Sequence, residues 1–122
     1  MVDYSKMSDF EINLAVVHIV IGSGGYDWDS DKKEVYLAAM DGGEFLPNAY
    51  FDPCNNPADA WPIISDNRIS LMYDQSTEKG NEAQWCLASS PCDKHIVDYV
   101  SPSKLLRAAM IVFLMMQDEK NG

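Results

Sequence analysis

Basic residues are scarce in this chain: nine Lys and Arg stand against nineteen Asp and Glu, a formal net charge of −10. Nucleic-acid binding draws most of its affinity from basic groups that neutralise phosphates. Beyond the pair Lys32-Lys33 no basic cluster occurs, so direct DNA or RNA binding is not expected. The surplus acid has two readings, solubility alone or a surface that engages a basic partner. Cysteine is scarce as well. Cys54, Cys86 and Cys92 form no even framework, which argues against disulfides and for reduced thiols in a cytoplasm. No apolar run approaches the roughly 20 residues of a membrane helix. Met1 to Met7 carries one lysine and no apolar stretch of the kind that marks a secretory leader. The expectation is a cytoplasmic protein without membrane association.

Motifs that announce common chemistries are lacking too. Gly22-Ser-Gly-Gly25 has no Lys-Ser/Thr and follows no strand, so it reads as a helix C-cap and turn. Asp27, Asp29 and Asp31 imitate the start of a calcium loop. Its sixth position, however, is Lys32 and its twelfth Ala38, where the sharp turn needs glycine and bidentate ligation needs glutamate. No Gly-x-Ser-x-Gly elbow occurs. Cys86, Cys92 and His95, with Cys54, could supply soft ligands, but only Cys92-x-x-His95 has the close spacing of a structural zinc site. A nucleophile built from Cys92 with His95 or His18 would need a third, orienting group. No metal, cofactor or catalytic residue is assigned.

What the chain does have is a greasy C-terminal segment. Ser101 can cap and Pro102 can take the first helical position, and Ala108 to Met116 is apolar without interruption. Leu106, Ala109, Met110, Phe113 and Met116 share the stripe expected to face a sheet. The opposite stripe, Lys104, Arg107, Ile111, Leu114 and Asp118, is apolar in the middle. Ile111 and Leu114 therefore need a cover, either a neighbour within the chain or a second subunit in a homodimer.

Ser8 and Glu11 have capping-box spacing, with Met7 and Ile12 placed as a hydrophobic staple, and predict a helix over 9–20. Phe10, Leu14, Val17 and Ile21 lie on one stripe of it, and its β-branched end could instead be strand. Residues 26–28 and 34–37 read as a strand pair, and 38–56 as a long connection tacked down by Phe45, Tyr50 and Phe51. Asn56 and Pro57 predict a second helix over 57–66, irregular at Pro62, with Trp61 and Ile64 inward. Residues 68–73 and 83–88 form a second hairpin, and 89–100 a second connection. The order is α-ββ-α-ββ-α. It implies a single α+β domain over 1–122, a sandwich whose antiparallel sheet of about four strands has helices on both faces.

Around the second helix, Asn55, Asn56, Asp59, Trp61 and Arg68 could line a recognition surface. They could equally serve locally, Asp59 as a helix-start carboxylate and Arg68 as a partner for it or for Asp66. That segment, Phe51-Asp-Pro-Cys-Asn-Asn-Pro-Ala-Asp-Ala-Trp-Pro-Ile-Ile64 with Asn67-Arg-Ile-Ser-Leu71, resembles the NinX family of tailed temperate phages and prophages. So do Ser8-Asp-Phe-Glu-Ile-Asn13 and Leu106-Arg-Ala-Ala-Met-Ile-Val-Phe-Leu-Met-Met116. The Ala-Asp-Ala-Trp segment, its hairpin and the closing helix also look like the broader phage α-β-α sandwich group. The resemblance implies a small phage accessory protein of no established activity. Together with the charge it suggests a non-catalytic protein that binds a host or phage partner with a basic surface. The alternatives are a small enzyme or nucleotide-binding factor using the Asn55–Trp61 loop and helix, and a structural homo-oligomer.

Overall fold

Capping residues set the helix limits. Ser8 accepts from the Glu11 amide while the Glu11 carboxylate accepts from the Ser8 amide, and the helix α1 they open runs Asp9–Val20. Asn56 accepts from the Ala58 amide and opens α2, Pro57–Asp66, with Pro62 inside it. The last helix, α3, spans Leu105–Asn121 after a 3-10 turn at Pro102–Lys104. Ser101 caps that turn by backbone only, its hydroxyl meeting Ser103 instead. The computed structural model describes residues 2–38 and 45–121.

Among the described residues six strands form two sheets where one of about four strands was expected. β1 (Tyr26–Asp29), β2 (Glu34–Ala38) and β3 (Phe45–Tyr50) make one, and β4 (Ser70–Gln75), β5 (Gln84–Ser89) and β6 (Ile96–Tyr99) the other, all pairs antiparallel. The added strands lie in stretches that read as connections. β3 contains Pro47, which cannot donate to a ladder and is tolerated because β3 is an edge strand. β6 is an edge of four residues, too short to display alternation. In the β1–β2 loop the Asp29 carboxylate accepts from the Asp31 and Lys32 amides, so that acid serves a turn.

Among the described elements, helices do not cover both faces of a shared sheet. α3 packs on β5 and β6 with one side and on α1 and α2 with the other, and α1 packs in turn on β1 and β2. The core joins Ile12, Val16 and Val17 of α1, Ile63 and Ile64 of α2, Ile69, Ala88, and Ala108 to Leu114 of α3. Each large side chain so buried contributes roughly 1.5–3 kcal/mol, which makes α3 the centre of the fold. Ile111 and Leu114 are 3% and 2% exposed inside the single chain. The cover they require is intramolecular, and the reason for invoking a second subunit there disappears.

The buried residues of α1 are Ile12, Asn13, Val16 and Val17, which share only Val17 with the stripe Phe10, Leu14, Val17 and Ile21, and Ile21 is exposed. One inward assignment is corrected. Trp61 is 61% exposed, because Ala60, Ile63 and Ile64 already fill the inner face of α2. Of the aromatics expected to tack down residues 38–56, Phe51 is buried, whereas Tyr50 is exposed with its ring against Tyr36. The Phe45 side chain lies outside the described residues.

Candidate functional site

The turn that feeds α2 brings the chain's polar residues together. Backbone bonds from the Asn55 and Asn56 amides to the Asp52 carbonyl tighten Asp52–Asn56 into a knot beside the first turn of α1. Asn13, one turn into α1, donates to Asp52 Oδ1 at 2.7 Å and accepts from the Cys54 amide at 3.1 Å. Asn55 Nδ2 lies 3.1 Å from Asp9 Oδ2 and equally close to Asp52 Oδ1, bridging the two carboxylates. Asp59, from α2, accepts from the Asp52 amide at 3.0 Å.

Arg107 completes this network from α3. It is buried, and it donates to Asp9 Oδ1 at 2.8 Å, to the Tyr99 hydroxyl at 2.9 Å, and to the carbonyls of Tyr4, Ser5 and Met7. Burial pulls the guanidinium pKa down, but the hydrogen bonds with Tyr99 and Asp9 outweigh it and leave it raised. Tyr4 holds the same N-terminal arm to the far end of α3 through Asp118, and burial with that carboxylate pushes its phenol up to about 12.

Over the network opens a cleft of about 560 Å³, lined by Asp9, Asn13, Asp52 and Asn55 on one side and by Phe10, Val35, Tyr50 and Phe51 on another. Lys33 and Glu34 stand with them in its lining. The carboxylates of Asp9 and Asp52 are already engaged by Arg107, Asn13 and Asn55. The Cys54 thiol is buried, and burial pushes its pKa up, which suppresses the reactive thiolate. His18 meets the Tyr26 hydroxyl at 2.9 Å, and His95 meets Glu119 at 2.6 Å. Neither histidine lines the cleft.

The five residues proposed from sequence do not converge. Asn55 lines the cleft, Asp59 accepts from the Asp52 amide without lining it, and Asn56 is spent on the helix cap. Trp61 faces solvent, and Arg68, left-handed at φ 54°, follows the end of α2 without pairing to Asp59 or Asp66. Sequence reasoning missed Asp9, Asn13, Asp52 and Arg107. One signal was available: an arginine at the third position of a helix, directly before the apolar run Ala108 to Met116, needs a partner once buried.

A family model described as Bacteriophage P22, NinX matches residues 3–117. The chain belongs to the NinX family. A crystal structure at 2.0 Å of a phage protein from Bacillus cereus ATCC 14579 is similar to this NinX chain, with a TM-score of 0.50 over 94% of each chain. At 13% identity that likeness speaks for the fold alone. No curated protein matches the NinX chain. Among its described residues no helix is long and apolar enough to cross a membrane, and no group of three or more His, Cys, Asp or Glu is placed to hold a metal ion.

Proposed function

We propose that this NinX-family protein is a non-catalytic phage accessory protein that acts in the host cytoplasm by binding another protein with a basic surface. One observation carries the reading: the buried charge among the described residues is a cation, Arg107, and no described carboxylate is buried. Arg107 is paired with Asp9, so the chain's net charge of −10 is expressed as an acidic field by the other described carboxylates, none of them buried. Such a field speeds encounter with basic partners and repels phosphate polymers.

The experiment is affinity capture from phage-infected cell lysate with the intact protein. A basic partner retained at low salt and released as salt rises supports the reading, because exposed charge pairs are screened. Recovery of no partner at low salt overturns it.

The second reading, a small enzyme or nucleotide-binding factor at the Asn55–Trp61 segment, draws on the cleft beside Asn55. Asp9, Glu34 and Asp52 in its lining oppose a phosphate-bearing ligand, and its carboxylates hold the fold together through the contacts described above. Acid–base work by them would disturb those contacts, which favours binding over catalysis.

A further inference from the structure

The sheet β4-β5-β6 has one covered face and one open face. Side chains alternate along a strand, so the paired rows Leu71–Ala88–Val97 and Tyr73–Cys86–Tyr99 share one face. Leu71, Ala88, Val97 and Tyr99 from these rows join the core with α3. The other rows, Met72–Leu87–Asp98, Ser70–Ser89–Ile96 and Asp74–Trp85, face away. Among the described elements, α3 and the turn Pro102–Lys104 are the ones that pack substantially on this sheet.

An open sheet face is ordinarily polar. This one is not. Met72 and Ile96 are 45% and 53% exposed, Trp85 and Leu87 are half-buried, and none of the four packs into the core cluster. Single exposed apolar side chains are unremarkable, whereas a contiguous group that includes tryptophan marks an interaction surface.

We infer that this face docks a basic amphipathic helix of a partner protein, a conclusion that rests on the binding function proposed above and names its site. Strands about 4.8 Å apart make a three-strand face about 10 Å wide, close to the diameter of one helix, and the opposite face holds one helix, α3. The charge selects the occupant. Asp74 and Asp98 flank the apolar group, and the rows of this face contain no Lys or Arg. A second copy of the chain would set like charge against like, at −10 each. A helix with lysines or arginines beside its apolar stripe meets both features.

The test maps amide chemical shifts of the intact protein with a synthetic leucine–lysine amphipathic helix and with its leucine–glutamate counterpart. The lysine peptide is expected to shift residues 70–74, 85–89 and 96–98, and the glutamate peptide to shift none. Leu87→Lys is expected to weaken the lysine peptide at least about tenfold with the unfolding midpoint unchanged, and Ile96→Lys, at an edge strand, repeats the test should the first variant fold poorly. Shifts confined to the cleft at Asn55, equal affinity in both variants, or shifts on this face that grow with protein concentration alone would each overturn the assignment. A lysate partner held equally by wild type and Leu87→Lys would preserve the general binding function and remove this site.

Discussion

Arg107 and Asp9 meet at 2.8 Å although 98 positions separate them in the chain. The contact locks the start of α3 to the start of α1, and the same guanidinium holds the carbonyls of the N-terminal arm. Replacing Arg107 by Met strands those acceptors and the carboxylate together. The expected loss is about 2–4 kcal/mol in urea unfolding. Arg107→Lys should recover little, because one ammonium cannot reproduce the planar fork. Asp9→Asn should cost less than Arg107→Met, since its side chain is 43% exposed.

Removal of the Ser8 hydroxyl leaves the Glu11 amide without its cap. Ser8→Ala should lower stability by about 1 kcal/mol. Ser8→Thr should keep most of it. Equal unfolding midpoints for all three proteins would contradict the capping box.

The pair Trp61 and Ile64 separates exposure from burial on one helix. Ile64→Ala should cost about 2–5 kcal/mol by leaving a cavity under α3. Trp61→Ala should stay within about 0.5 kcal/mol, as surface substitutions do. Parallel denaturant titrations decide between them.

Acid weakens the tie between the turn preceding β6 and the end of α3. Lys94 and His95 hydrogen-bond the Glu119 carboxylate and hold its pKa below the ordinary 4.5. A depressed folded-state carboxylate contributes stability above its unfolded pKa and loses it as pH falls through the folded value. The midpoint gap between wild type and Glu119→Gln should therefore be open near pH 6 and close in the acid range below about 4. A gap independent of pH would contradict the pairing.

Thiol reactivity should divide the three cysteines. Cys92 is exposed while Cys54 and Cys86 are buried with raised pKa values. One thiol per chain should react with an aromatic disulfide reagent in the native protein, and three after unfolding. Cys92→Ser should remove the native signal.

Local signals in the sequence were strong where one or two residues decide the outcome. Ser8 with Glu11 and Asn56 with Pro57 placed the starts of α1 and α2 as observed, because caps act within one turn. β3 and β6 escaped notice since edge pairing tolerates Pro47 and very short runs. Trp61 reads as inward with Ile64, whereas its orientation follows from Ala60 and the isoleucines that already fill the inner face of α2. The network of Asp9, Asn13, Asp52, Asn55 and Arg107 spans three distant segments, so spacing could not reveal it. Asn55 was legible only because it adjoins a cap. The open face of β4-β5-β6 depends on β6, and with β6 unseen its apolar row could not be assembled.

Structural work by the cleft network and binding by the sheet face are separated most directly by measuring melting temperature and lysine-peptide affinity on the same two variants. Asn13→Ala should lower the melting temperature by several degrees and leave affinity unchanged, while Leu87→Lys should abolish most of the affinity and leave the melting temperature unchanged. Loss of affinity in Asn13→Ala at an unaltered melting temperature, with Leu87→Lys still binding, would contradict both assignments at once.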